Sequence, residues 1–63
     1  MNRELVMYHL NEAHEALTRM LKEAREDSEW GIGELSAEMP ELYHHVNTAW
    51  NARDSANALV VAA

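Results

Sequence analysis

"EWGIGEL", residues 29–35, divides the chain. Both of its glycines, Gly31 and Gly33, fall inside this stretch. To either side lie runs rich in alanine, leucine, glutamate and methionine, all good helix formers. Gly31 is placed to take the left-handed conformation that closes a helix, with Ile32 folding back as the apolar contact. The expected architecture is all-α: one helix from about 2 to 29, a turn at about 30–34, and a second helix from about 36 or 40 to 60.

The first half reads as an amphipathic helix. Val6, Leu10, Ala13, Leu17, Met20 and Ala24 recur at spacings of four and three, flanked by Met7, His14 and Leu21. The second half repeats the pattern with Leu35, Met39, Leu42, Val46, Ala49, Arg53, Ala56 and Val60, flanked by Tyr43, Trp50 and Asn57. Pro40 interrupts it. Proline suits a first helical position better than an interior, so residues 34–38 are expected as a short separate turn with the main helix starting near Pro40, the alternative being a helix capped by Ser36 that bends at Pro40. A short link makes the two helices antiparallel neighbours. A turn near residue 32 sets Leu17 against Val46, Ala13 against Ala49 and Trp50, and Leu10 against Arg53.

At 63 residues the chain makes one domain, near the lower limit for a self-sufficient core. It has no cysteine to staple it. One hairpin leaves much of both stripes wet, which points to a homodimer, in its simplest closed form a four-helix bundle. In architecture alone this resembles Rop, the plasmid copy-number protein, also a short helical hairpin that dimerises. The expected core and dimer seam is Val6, Leu10, Ala13, Leu17, Met20, Leu21, Met39, Leu42, Val46, Ala49, Ala56 and Val60. The closing "NALVVAA" is expected to pack on the partner hairpin, or else to recruit another protein.

The formal charge of −6 disfavours nucleic-acid phosphates as partners. No segment approaches the roughly 20 apolar residues of a membrane span, and the start does not read as a signal peptide, so the expected setting is the cytoplasm. The hairpin tip gathers Glu23, Glu26, Asp27, Glu29, Glu34, Glu38 and Glu41. It reads as a solvated face, with a basic protein partner as the alternative.

Four histidines raise the question of metal. His9 and His14 are five apart and His44 and His45 adjacent, and neither spacing puts two imidazoles on one helical face. Glu41 and His44 have the Glu-x-x-His spacing of di-iron bundles, but the heptad turns both outward. The expectation is therefore no metal and no cofactor, with Glu41 and His44 the nearest candidates. Arg53 falls on a core position and needs a carboxylate (Glu12, Glu15 or Asp54, within the hairpin or across the dimer) or an aromatic ring, the Trp50 of a neighbouring chain. His14, Trp50, Arg53 and Asn57 form a candidate cluster that either fixes register or binds a small ligand. The four aromatic residues, Tyr8, Tyr43, Trp30 and Trp50, come without the basic surface that RNA stacking needs. No nucleophile context, phosphate loop or zinc-protease motif is present, so no enzymatic activity is expected. The function expected is a homodimeric interaction or regulatory module. A ligand- or metal-binding bundle is the alternative, and a Rop-like RNA-binding dimer the third.

Overall fold

The computed structural model describes residues 1–54. They form two α-helices, α1 (Arg3–Glu26) and α2 (Ile32–Asn51), followed by a single 3-10 turn, Ala52–Asp54. The helices run antiparallel as a hairpin with no strand among the described residues. The expected positions Ala56, Asn57 and Val60, and the apolar tail, lie outside them.

Asn2 caps α1: its side-chain oxygen accepts from the Leu5 N–H at 3.1 Å, satisfying one of the free donors of the first turn. At its other end α1 stops three residues before the expected limit, and glycine is not the reason. No glycine among the described residues has positive φ. Asp27 closes the helix in an extended conformation. Its N–H donates to Glu23, its carboxylate accepts from the Glu29 N–H, and its carbonyl accepts from the Trp30 N–H. A carboxylate bonding two residues ahead is the turn chemistry that makes aspartate competitive with glycine here.

The turn is therefore Asp27–Gly31, and Ile32 and Gly33 belong to α2. Ile32 does not fold back; it is 83% exposed. Glu34 reaches back to accept from the Gly31 N–H, half of a capping box, since glycine has no side chain to complete it. Pro40 neither begins the helix nor breaks it: α2 runs through it without interruption. A proline in that position deprives the Ser36 carbonyl of its partner. Both residues are on the surface, where water can take that role. Arg19 of α1 pairs with Glu38 and Glu41, one on each side of Pro40, and so ties the two halves of α2 together.

Moving the turn toward the N-terminus moves the register. Arg19 lies level with Glu38 and Glu41, His9 with His45, and Asn2 with Ala52, whose carbonyl accepts the Asn2 N–H at 3.4 Å. The pairings expected from a turn at residue 32, such as Leu17 with Val46, are slid by a turn or more.

The seam between the helices is built almost entirely of small side chains. Ala13, Ala16, Met20, Ala49 and Ala52 are the buried residues, and Ala16 retains 1% of its surface. Leu5, Val6, His9, Glu12, Glu23, Glu38, Met39, Leu42 and His45 are half-buried around them. Four alanines let the backbones approach closely but remove little apolar surface from water. Of the large residues of the expected seam Met20 is buried, but four are outside it: Leu10, Leu17, Leu21 and Val46 are each about half exposed. The helices face each other along a line rotated about 60° from the centre of the apolar stripe, so that Ala13, Met20 and Ala49 belong to both.

This seam should reject volume. Ala16→Leu is expected to push the helices apart and cost about 1–3 kcal/mol. Thermal melts followed by circular dichroism check it; a variant as stable as the parent would show that α1 and α2 do not meet at Ala16.

Candidate functional site

Because the seam is rotated off the apolar stripe, each hairpin has two distinct broad faces. Turning 100° per residue, α1 presents Val6, Leu10, Leu17 and Leu21 about a quarter turn from the seam. On α2, Leu35, Met39, Val46 and Trp50 lie a quarter turn from the seam in the same sense, and Arg53 of the 3-10 turn follows them. In antiparallel helices equal turns in that sense lead to the same side. A groove lined by Met1, Val6, Leu10, Val46, Ala49, Trp50 and Arg53 joins the two stripes into one apolar face. Trp50 is 62% exposed there and Leu10 53%. No aspartate or glutamate of either helix falls on this side; Glu4, Glu12, Glu15, Glu23, Glu26, Glu34, Glu38 and Glu41 all fall on the seam or beyond it.

Arg53 resolves the problem of a guanidinium at a stripe position by staying near the surface. It stacks on the Trp50 ring at 3.8 Å from the centroid, donates to the Trp50 carbonyl at 2.7 Å and lies 3.5 Å from Asp54. Trp50 supplies this ring from the same chain, and Asp54 is the acid among those expected. His14 does not join them. It is exposed on α1, and no hydrogen bond or ring contact links it to Trp50 or Arg53. Asn57, the fourth member of the expected cluster, lies outside the described residues.

The opposite, polar shoulder holds the arrangement that sequence spacing missed. His9 of α1 reaches across the seam to His45 of α2, Nδ1 to Nδ1 at 2.9 Å, one ring donating and the other accepting. His44 joins them: its ring centroid is 5.8 Å from that of His9 and 5.1 Å from that of His45. One ring nitrogen from each of the three lies within 4.8 Å of the others. His9 and His45 are half-buried and His44 is exposed, so the cluster opens to solvent. Tyr8 meets the His9 ring edge-on at 5.0 Å. The His44 carbonyl accepts from the Thr48 hydroxyl at 2.7 Å.

The crowding has an electrostatic signature. His9 is held below the ordinary imidazole range, first by loss of solvent in the seam, then by the neighbouring His45 and His44. Glu12, one turn along α1, opposes the shift. The sequence candidates Glu41 and His44 separate: Glu41 is taken by Arg19, while His44 pairs with the other histidines. Adjacent residues do not share a helical face, but a third histidine crossing from the other helix can meet both. Only the register of the hairpin reveals that.

Nearer the turn, two carboxylates meet. Glu23 is raised above the ordinary carboxylate range, chiefly by hydrogen bonding with the Glu38 carboxyl, then by shielding from solvent and by Glu38's charge. Arg19 opposes the shift, as does Trp30, whose indole N–H lies beside Glu23 without closing a well-formed hydrogen bond.

Comparison with protein-family models, with characterised proteins and with solved structures finds no match for this chain. No helix among the described residues is long and apolar enough to cross a membrane.

The Glu23–Glu38 contact predicts a pH-dependent gain. A carboxyl whose pKa is raised on folding stabilises the fold below its unfolded value and loses that contribution as pH rises through its folded value. At neutral pH the two carboxylates therefore oppose each other. Glu23→Gln removes the repulsion and keeps a donor for Glu38. Its melting temperature should exceed the parent's at about pH 7, with the difference closing by about pH 3.5, where carboxyls are protonated in both. An unchanged melting temperature at pH 7 would refute the contact.

Proposed function

We propose that this protein is a non-enzymatic, homodimeric interaction module whose acid-free apolar face is covered by a second copy of the same chain. One observation carries the reading: the hairpin buries four alanines and a methionine while leaving Leu10, Leu17, Leu21, Leu35, Val46 and Trp50 in contact with water. Fully burying one leucine contributes about 1.5–3 kcal/mol, several times what an alanine methyl contributes. A 63-residue chain without a disulfide has little other source of stability.

Charge distribution favours a second copy as the occupant. The chain carries a net −6, yet its helical acids all lie away from the apolar face. Two such faces come together without bringing carboxylates into opposition, and both acidic surfaces remain in solvent. A face that is apolar on both helices of an antiparallel hairpin is also self-complementary under a two-fold axis. The product is a four-helix bundle whose second core consists of the large residues that the first seam leaves out. Its outer, acidic faces are then the surfaces available to other molecules.

Leu17→Glu tests this arrangement. Leu17 is 43% exposed in the single hairpin, so a carboxylate there is tolerated by a monomer and not by a dimer core. Light scattering on a sizing column should give the mass of two chains for the parent and of one for the variant, with helicity falling as the dimer dissociates. A parent that is a well-folded monomer across the concentration series would overturn the reading.

A further inference from the structure

We propose that His9, His44 and His45 form a binding site for a divalent transition metal of the zinc class, held by three imidazole nitrogens with a fourth position open to solvent. The geometry carries it. Nitrogen ligands of a tetrahedral zinc lie about 2.0–2.1 Å from the metal, which sets them roughly 3.3 Å from one another. The His9 and His45 Nδ1 atoms are already 2.9 Å apart, and one ring nitrogen from each of the three histidines lies within 4.8 Å of the others. The remaining displacement falls on His44, the exposed member, whose side chain can change rotamer without disturbing the seam. The two α2 ligands are consecutive, and the α1 ligand crosses to them from the facing helix, so the metal would bridge the helices.

The donor set selects the metal class. Three imidazoles and no carboxylate suit zinc, nickel or copper and disfavour magnesium and calcium, which require oxygen. Glu12 adds negative potential next to His9. Three histidines with one free position form a site that can accept water or an external ligand rather than a closed structural one. The location gives binding a second consequence. The cluster is on the half of the hairpin remote from the Asp27–Gly31 turn, where the Asn2–Ala52 hydrogen bond and the buried Ala49 and Ala52 hold the helix ends together. A metal there cross-links residues 36 positions apart in sequence and supplies the staple that the absence of cysteine denies this chain. The site is on the polar shoulder, away from the face proposed for dimerisation, so neither proposal depends on the other.

The experiment uses the full, untagged chain after treatment with a chelator, titrated with zinc by calorimetry and with cobalt by visible absorption. One zinc per chain, the intense d–d bands of tetrahedral cobalt, and a melting temperature raised by about 10 °C at a hundredfold excess over the dissociation constant are expected. His44→Gln, at an exposed position that leaves the seam intact, should weaken zinc binding by at least about tenfold, and His45→Gln likewise. His14→Gln should leave it unchanged, and magnesium should not compete. No binding below about 100 µM zinc at pH 7.5, a cobalt spectrum of octahedral type, or an equal loss in His14→Gln and His44→Gln would each overturn the proposal.

Discussion

Close approach of α1 and α2 along a row of alanines is the constraint from which the other features follow. Ala13 and Ala16 on one side and Ala49 and Ala52 on the other leave no room for leucine between the backbones. Helices that meet this closely place long side chains on the flanks rather than in the contact. The flank on one side is Val6, Leu10, Leu17, Leu21, Val46 and Trp50, and on the other it is the ring of histidines and the acid–arginine network. The uncovered apolar face and the crossing of His9 to His45 are thus two results of one packing choice.

That choice makes the single hairpin a poor minimum on its own. Its contacts are mostly local to each helix, its interior contains one long side chain, Met20, and its interhelical ion pairs are exposed. Such pairs contribute at most about 1 kcal/mol. Two devices with a larger reach are open to a chain of this size. One is association through the apolar face, which enlarges the core. The other is a ligand that binds only the folded register, as three histidines drawn from two helices would. They act on opposite faces and can operate together.

Features near the turn show how local chemistry sets long-range register. Asp27 ends α1 through its own backbone and side chain, and Glu34 begins α2 by capping Gly31. Together they place the reversal at Asp27–Gly31 and bring Ile32 and Gly33 into a helix. A turn a few residues later would have parted His9 from His45, and Arg19 from Glu38 and Glu41. Pro40 is accommodated because the carbonyl it orphans is at the surface and because Arg19 holds acids on both of its sides.

The sequence by itself determined that the chain is two amphipathic helices joined near its middle, since periodicity, helix propensity and the low count of glycine and proline are local properties. It also determined that the apolar stripes are too broad for one hairpin to cover. What it left open was which edge of the stripe faces inward. Alanine is apolar enough to belong to the stripe at Ala13 and Ala49, but only the packed pair shows that small residues take the contact and leucines the flank. A heptad centred on Val46 and Arg53 therefore kept Ala13, Met20 and Ala49 in the contact but missed the true line, which runs between Ala49 and Ala52, by about 60°. The histidine site was hidden for the same reason. His9 and His45 are 36 positions apart, and no spacing rule connects them. Tertiary structure decided their meeting, because it alone fixes where the chain reverses and so which turn of α1 lies beside which turn of α2.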